Sequence, residues 1–260
     1  MGATTKPSAD LAYLCRALKA PVFANAIDCL AGRARTLGWS HEEFLCARLE
    51  REVVTRQSNG GEIRVRAARF LARKTIEEFD FDHQRSLRRE FIAHLGTLDF
   101  LAARENVVFL GSPDTGKTHL SIGLAIRACQ VGHRVGFATA AEWIACLGKA
   151  HQQGRFHAEA TRLGRMPLLI IDEVRYIPFD GEAPNLFFQL VSARYERASV
   201  VVTSYKPFGR WDEVFGDPVV AAAMIDRFVH HAEVVNSKGD SYRLKGRDMR
   251  RDDSDRRTEL

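Results

Sequence analysis

GSPDTGKTHL, residues 111–120, follows the short apolar run NVVFL and opens a segment with helical spacing. The stretch matches the pattern G-x-x-x-x-G-K-[ST] of a phosphate-binding loop, in which backbone N–H groups surround the phosphates of a nucleotide. The helix that starts near Gly116 directs the positive end of its dipole at the same anion. Because a strand precedes the loop and a helix follows it, as this motif requires, we predict a nucleotide site here.

Each position of this loop has an expected role. Lys117 should reach the β- and γ-phosphates, and Thr118 should bind Mg²⁺. Asp114 is unusual in a loop that holds anions, because its carboxylate would repel the phosphates unless it points to solvent. Aspartate tolerates a left-handed backbone better than most residues, so the loop can still close. The predicted nucleotide-binding residues are Gly111, Ser112, Pro113, Asp114, Thr115, Gly116, Lys117, Thr118, His119 and, from a later strand, Thr203.

A pair of carboxylates ends the run LLIIDE, residues 168–173. The four apolar residues predict a buried strand. Asp172 at its tip can hold Mg²⁺ directly or through water, and Glu173 is placed to orient and deprotonate an attacking water. The alternative is a buried strand that meets a solvated acidic loop, in which neither carboxylate would act on a nucleotide.

The run VVVTSY, residues 200–205, predicts another buried strand. If this strand lies beside the Asp-Glu strand, a polar residue at its tip would be placed to contact the γ-phosphate of a bound nucleotide. Thr203, Ser204 and Tyr205 are the candidates, and the alternative interpretation is a plain strand end.

Two features stand in MIDRFVHH, residues 224–231. Arg227 is a candidate arginine finger, which would stabilise charge on the phosphate of a neighbouring subunit. The alternative for Arg227 is a surface salt bridge to Asp226. His230 and His231 are adjacent, so on a helix their rings would point apart, and we predict no metal site there.

Residues 1–74 are predicted to form a small helical domain. Ser40 and, three residues later, Glu43 form the pattern of a capping box that starts a helix. Residues 58–61, SNGG, predict a turn. The segment EIRVRAARFLARK, residues 62–74, then resumes a helix.

The rest of the chain divides into three predicted parts. Residues 75–103 lack clear periodicity and are predicted to be a linker. In residues 104–246, short runs rich in Val, Ile and Leu alternate with helical segments, which indicates an α/β domain whose parallel sheet is covered on both faces. Residues 247–260 are almost all charged and are predicted to be a disordered tail.

The composition is that of an ordinary globular protein, with 45% hydrophobic and 27% charged residues. The formal net charge of +5 permits a nucleic-acid partner without requiring one. Five cysteines, an odd number without a C-x-x-C pair, are typical of reduced thiols. Since no signal peptide and no apolar run of about 18 residues is evident, we expect a cytoplasmic protein without a membrane partner.

A basic cluster near residue 70 is a candidate nucleic-acid interface. On a helix, Arg66, Arg69 and Arg73 would share one face beside an apolar stripe, so that one side packs on protein and the other on phosphate. We expect contacts to the DNA backbone with little base readout, and the alternative is a solvated basic face. The candidate DNA-binding residues are Arg64, Arg66, Arg69, Arg73, Lys74, Lys149 and Arg155.

Several blocks of the chain resemble the IstB-type transposition helper ATPases, which belong to the AAA+ class and are close to the DnaC helicase loaders. The similarity runs from about residue 10 to residue 247 and includes GSPDTGKTHLSIGLAIRACQVGHRVGFATAAEW, LLIIDEVRYIPFD and GDSYRLKGR. The long block KPFGRWDEVFGDPVVAAAMIDR, residues 206–227, favours the transposition branch over the loaders.

The resemblance implies a RecA-like AAA+ core without a C-terminal helical lid, preceded by helices that engage DNA. It implies an ATPase that uses ATP and Mg²⁺, assembles as a homo-oligomer around duplex DNA, and recruits and activates the transposase of the same insertion element. By position, Lys117 and Thr118 would bind phosphate and Mg²⁺, Asp172 and Glu173 would serve metal and water, and Arg227 would be the finger. Residues 140–160 match the insertion that lines the DNA path in initiator-type ATPases.

Two positions depart from the family pattern. The family has glycine where Asp114 stands and asparagine where Tyr205 stands. We therefore expect ATP binding to be retained, if at lower affinity, and hydrolysis to be slowed or abolished. Two alternatives remain: a DnaC-like loader whose partner is a replicative helicase, and a DNA-binding scaffold with impaired ATP hydrolysis.

Overall fold

The protein is described from a computed structural model, which covers residues 7–25, 27–174, 183–239 and 241–242. The chain divides into two compact units, residues 1–63 with 130–132, and residues 64–129 with 133–260. The helices before the sheet are α1 (Pro7–Ala17), α2 (Pro21–Asn25), α3 (Ile27–Leu37), α4 (His41–Ala68), α5 (Arg89–Leu95) and α6 (Asp99–Ala103). The predicted tail, residues 247–260, lies outside the described residues, as does most of the region where a C-terminal lid would follow.

The second unit contains a five-stranded sheet with helices between its strands. In chain order its elements are β1 (Asn106–Gly111), α7 (Lys117–Gln130), β2 (Val135–Thr139), α8 (Ala140–Gln152), α9 (Phe156–Gly164), β3 (Leu168–Val174), α10 (Ala183–Arg194), β4 (Ser199–Ser204), a 3-10 turn (Phe208–Arg210), α11 (Asp212–Phe215), α12 (Pro218–Val229) and β5 (Ala232–Ser237). All neighbouring strands pair in parallel, in the order β2-β3-β4-β1-β5. The predicted α/β fold with a parallel sheet is confirmed.

Successive side chains of the buried strands contribute alternately to two hydrophobic clusters. In β1, Val107 and Phe109 belong to one cluster, whereas Val108 and Leu110 belong to the other. Because successive side chains of a strand point to opposite faces, the two clusters cover the two faces of the sheet. Burial on both faces explains why these strands are continuous apolar runs.

Residues 75–103, predicted as a linker, contribute buried side chains to the cluster that includes Phe109: Ile76, Phe79, Leu87, Ile92, Leu95 and Phe100. Their segment also contacts α7 along its length. His119 Nε2 donates to the Thr75 carbonyl at 2.7 Å, and Arg127 forms an ion pair with Glu77 at 2.6 Å. The segment is therefore part of the core of the second unit, although its sequence shows no regular period.

The start of α4 was predicted correctly. The Ser40 N–H donates to Glu43 Oε2 at 2.7 Å, and the Glu43 N–H donates to Ser40 Oγ at 3.1 Å, which is a complete capping box. The predicted turn at residues 58–61 is wrong, because α4 continues through it. Glycine costs about 1 kcal/mol in a helix interior, which a helix of this length can tolerate.

The end of α4 also differs from the prediction of a helix through residue 74. The helix ends at Ala68, and Arg69 has a left-handed backbone with φ 56°. Arg66, Arg69 and Arg73 therefore do not share a helix face. None of the helices in the described ranges is both long and apolar enough to cross a membrane.

Candidate nucleotide site

Parallel pairing brings the ends of the strands together at one edge of the sheet, which we call the carboxyl edge; the opposite edge, where the strands begin, is the amino edge. Because β4 lies between β1 and β3, the loop after β1 and the tips of β3 and β4 are neighbours at the carboxyl edge. Crevices at this edge of an open parallel sheet are the usual ligand sites of α/β proteins.

Lys117, the first residue of α7, is folded back into the loop. Its Nζ donates to the carbonyl oxygens of Gly111 at 2.9 Å and Ser112 at 2.6 Å. Burial lowers the pKa of Lys117, and the carboxylates of Asp172, Asp114 and Glu173 oppose that shift. The ammonium is thus held in the centre of the loop by acceptors that a phosphate could replace.

Two glycines of the loop are required by their surroundings. Gly111 has φ 147°, and a Cβ there would lie 1.9 Å from the Ser237 carbonyl oxygen. Gly116 has φ 88°, and a Cβ there would lie 2.4 Å from the Phe79 ring. Any side chain would therefore displace β5 or the ring that packs on the loop.

Asp114 adopts the left-handed conformation expected from the sequence, with φ 59°. Its Oδ2 accepts a hydrogen bond from Ser241 Oγ at 3.3 Å, and its carbonyl accepts one from the Tyr242 N–H at 3.0 Å. The side chain is half-buried rather than fully solvated. Its charge is therefore partly compensated by the Ser241 hydroxyl and by attraction to Lys117.

Three oxygen-bearing side chains meet beside the loop. Asp172 is 1% exposed and accepts hydrogen bonds from Thr118 Oγ1 at 2.9 Å and from Thr203 Oγ1 at 2.5 Å. Burial raises the pKa of Asp172, and the two hydroxyl groups oppose that rise. Carboxylate and hydroxyl oxygens are the donor chemistry that Mg²⁺ prefers, so these residues fit the predicted metal ligands.

Glu173 is exposed beside this cluster and has a left-handed backbone with φ 54°. The pairing of β3 with β4 shifts register between Ile171 and Val174, and the Glu173 N–H donates to Thr203 Oγ1 at 2.9 Å. A bulge of this kind redirects a side chain at a strand end. Glu173 is thereby separated from the buried carboxylate beside it.

Of the three candidates at the end of β4, the structure brings only Thr203 to Asp172. The Ser204 hydroxyl donates instead to the Val174 carbonyl at 2.7 Å, and the Tyr205 side chain is 40% exposed. The Ser204 hydroxyl thus stabilises the backbone at the end of β3, and Tyr205 lies outside this hydrogen-bonded cluster.

Gln84 is a loop contact that sequence reasoning missed. It is 4% exposed, and its Nε2 donates to Ser237 Oγ at 2.8 Å and to the Thr115 carbonyl at 3.3 Å. The Ser237 hydroxyl donates to the same carbonyl at 3.2 Å. Nothing in the spacing of FDFDHQRSL marks this glutamine, because its partners are distant in sequence.

Arg227 lies at the amino edge. The Asn106 side chain, at the start of β1, donates to the Arg227 carbonyl at 3.2 Å. The guanidinium donates to the Ala223 carbonyl at 3.0 Å and lies over the Phe188 ring, 4.4 Å from its centroid. The structure therefore does not bring Arg227 to the loop of its own chain.

The candidate DNA-binding residues occupy different settings. Arg64 Nε donates to the Cys129 carbonyl at 2.7 Å and so binds the end of α7. Lys149 is exposed on α8, and Arg155 is exposed just before α9. The remaining candidates, all exposed at or after the end of α4, are Arg66, Arg69, Arg73 and Lys74.

Comparisons with known proteins show the family to which the chain belongs. A family model described as IstB-like ATP binding protein matches residues 14–250. The chain is 41% identical over 236 residues to the ATP-binding protein of insertion sequence IS21 from Pseudomonas aeruginosa, covering 91% of this chain and 89% of that protein. It is 38% identical to the ATP-binding protein of insertion sequence IS5376 from Geobacillus stearothermophilus, covering 89% of this chain and 92% of that protein.

Solved structures share the fold at low sequence identity. AMPPCP-bound DnaA from Aquifex aeolicus gives a TM-score of 0.55 at 21% identity, covering 68% of this chain and 54% of that one. The DnaC helicase loader gives a TM-score of 0.52 at 16% identity, covering 63% of this chain and 96% of that one. These similarities show that the sheet and its helices share the fold of these proteins.

Proposed function

The chain belongs to the IstB-like ATP binding protein family, and we propose that it is an ATP-dependent DNA-binding helper that activates a transposase. The observation that carries the nucleotide part is that Lys117 and Thr118, at the start of α7, lie beside the strand ends that carry Asp172 and Thr203. Relatives that belong to insertion sequences favour transposition over helicase loading as the process served.

The loop residues give a consistent account of ATP binding. Backbone N–H groups of residues 111–118 and the start of α7 would surround the phosphates. The Lys117 ammonium would exchange the carbonyls of Gly111 and Ser112 for phosphate oxygens. The negatively charged phosphate would then stabilise the ammonium, which burial has removed from water.

Hydrolysis would depend on the oxygen cluster. Thr118 and Asp172 would hold Mg²⁺, which when bound neutralises charge on the phosphates. Glu173, exposed beside the cluster, would accept a proton from the attacking water. Thr203 would hold the Asp172 carboxylate beside the Glu173 backbone, since its hydroxyl donates to Asp172 and accepts from the Glu173 N–H.

The position of Arg227 supports assembly. Its backbone is bonded to Asn106, and β1 extends from Asn106 to Gly111, roughly 17 Å at about 3.3 Å per residue. A finger at the amino edge could therefore serve only the nucleotide of another copy. We propose a homo-oligomer in which the amino edge of one subunit faces the carboxyl edge of the next.

The basic side chains supply the DNA part of the proposal. Arg66, Arg69, Arg73 and Lys74 lie at or just after the end of α4 as an irregular exposed cluster. Contacts to phosphate do not need a continuous helix face, because they carry no base readout. Binding should weaken steeply with salt as condensed counterions are released.

Electron microscopy of the protein with duplex DNA, with and without ATP and Mg²⁺, tests the proposal. We expect ordered multimers on DNA only with ATP, and none with Lys117→Ala. The matched control is Arg210→Ala, which removes an exposed cation that is paired with Glu213 and is not a candidate for nucleotide or DNA binding. If Lys117→Ala and the wild type bind DNA and assemble equally without ATP, the protein is a scaffold that does not use nucleotide. A pulldown that captures a replicative helicase and no transposase would favour the loader alternative.

A further inference from the structure

We propose that Glu196, His230 and His231 form a binding site for a divalent transition metal ion, with Zn²⁺ as the cation that best suits the ligands. One potential ligand atom from each side chain lies within 4.8 Å of the other two. Imidazole nitrogens and a carboxylate oxygen are common Zn²⁺ ligands, and three protein ligands leave a fourth position for water. The site lies at the amino edge and does not depend on the proposed ATPase function.

The distances require only small side-chain adjustments. His231 Nε2 lies 3.9 Å from Glu196 Oε1, and the two imidazole centroids are 4.3 Å apart at 84°. Two ligands at about 2.0–2.1 Å from one tetrahedral Zn²⁺ lie about 3.4 Å apart. Because all three side chains are exposed, their rotamers can close this gap without disturbing the core.

The backbone positions of the ligands are fixed by neighbouring elements. The His231 carbonyl accepts a hydrogen bond from the Asn106 N–H at 2.8 Å, which joins it to the start of β1. The Glu196 carbonyl accepts one from Arg104 Nη1 at 3.3 Å. Binding would therefore restrict mainly side-chain freedom, so that the entropy cost of closing the site is small.

Tyr195 provides the outer contact that metal-binding histidines usually have. Its hydroxyl lies 2.9 Å from His230 Nδ1. When Nδ1 donates its proton to this hydroxyl, Nε2 keeps the lone pair that a metal needs, and the ring is held in one orientation. The charge nearby is balanced, because Arg104 and Glu105 both line the open depression that contains Glu196 and His231.

The sequence prediction of no metal site at His230 and His231 rests on a premise that the structure contradicts. It assumed that His230 and His231 lie on a helix, where adjacent rings point apart. α12 ends at Val229, so the two histidines occupy the turn before β5, where their rings lie close together in an edge-to-face arrangement.

Equilibrium dialysis against Zn²⁺ tests the site, with the wild type compared with a His230→Ala/His231→Ala variant. We expect the wild type to bind one more Zn²⁺ than the variant. The control variant His151→Ala/His157→Ala removes two other exposed histidines and should keep this extra ion. Glu196→Gln and Tyr195→Phe should each weaken binding by about tenfold or more, as changes around metal ligands commonly do.

Equal stoichiometry and affinity in the wild type and the His230→Ala/His231→Ala variant would overturn the proposal. So would an extra ion that is lost in the His151→Ala/His157→Ala control and kept in the first variant. If the double variant does not fold by circular dichroism, the single variant Tyr195→Phe decides: unchanged Zn²⁺ affinity contradicts the site, and weaker binding supports it.

Discussion

Three polar side chains at the carboxyl edge of the sheet are buried and hydrogen-bonded, whereas three at the amino edge are exposed. Asp172, Thr203 and Lys117 have partners within the same chain. Glu196 and His231, at the other edge, are exposed. The buried side chains are therefore paired within one chain, whereas the exposed side chains at the amino edge are available to a ligand or a neighbouring subunit.

The amino edge is nevertheless rigid beneath these exposed groups. Arg194 is 1% exposed and donates to the carbonyls of Leu163, Met166 and Ser199 at 2.6, 3.0 and 2.7 Å. Burial lowers its pKa to about 10, which leaves it charged at neutral pH. A buried cation without such acceptors would be strongly unfavourable. The three bonds therefore hold the segments that lead into β3 and β4 in place beside the end of α10. An edge whose backbone is held in place and whose outer side chains are exposed is suited to contacts with another molecule.

Arg227→Ala gives the sharpest contrast between the two edges and the largest expected effect. We expect the ATP hydrolysis rate of the assembly to fall about a thousandfold, because an arginine finger contributes about that much. ATP affinity of the isolated chain should change little, since Arg227 does not contact its own loop. Phosphate release and nucleotide titration measure the two quantities.

Mixing variants tests which copy the arginine serves. Arg227→Ala subunits keep an intact loop, and Lys117→Ala subunits keep the arginine, so a mixture should hydrolyse ATP faster than either alone. Arg210→Ala, which removes an exposed arginine paired with Glu213, is the matched control and should retain activity. Normal hydrolysis by Arg227→Ala, or no recovery in mixtures that still assemble, would contradict action between subunits.

The sequence predicted which residues meet at the carboxyl edge because its signals are local, and their roles toward a nucleotide stay predictions. Gly111, Gly116 and Lys117 stand in one contiguous motif, and Asp172 and Thr203 end apolar runs that could only be buried strands. Parallel pairing then brings those ends together without further information. The α/β class with its parallel sheet was predicted correctly from such runs, and the family was predicted correctly from longer blocks that include residues 206–227.

Features that depend on helix ends or distant partners were missed. α4 passes through Gly60 and Gly61 but stops at Ala68, and only tertiary packing decides between those positions. Gln84 bonds to Thr115 and to Ser237, which is 153 positions away along the chain. No periodicity encodes such a contact, so residues 75–103 looked like a linker although their side chains fill the core.

Gln84→Leu should have the next largest effect. It keeps the side-chain volume but removes the donor to Thr115 and Ser237, which leaves buried acceptors with fewer partners. Such a loss costs about 1–3 kcal/mol, so we expect ATP affinity to weaken roughly tenfold or more as the loop loses its fixed position.

Measuring the ATP hydrolysis rate as well as the ATP affinity distinguishes a role of Gln84 in positioning the loop from a general loss of structure. The rate at saturating ATP should fall less than the affinity, and the exposed neighbour variant Arg85→Ala should behave as the wild type. If Gln84→Leu folds and binds ATP with unchanged affinity, Gln84 serves only to pack the segment.

Asp114→Gly should have the smallest effect, and its sign is informative. The left-handed backbone at this position suits glycine, so the loop should keep its shape. Removing the carboxylate should strengthen ATP binding about fivefold, because one unfavourable charge within a few ångström of the phosphates is worth about 1 kcal/mol in water-like surroundings. The gain should shrink at high salt, where exposed charges are screened.

Asp114→Asn is the matched variant, since it removes the charge and keeps the side-chain shape. Equal gains in both variants would assign the effect to charge, whereas a gain in glycine alone would assign it to the backbone. Unchanged affinity in both would mean that Ser241 and Lys117 already compensate the carboxylate, and that this carboxyl-edge loop tolerates aspartate at no cost to binding.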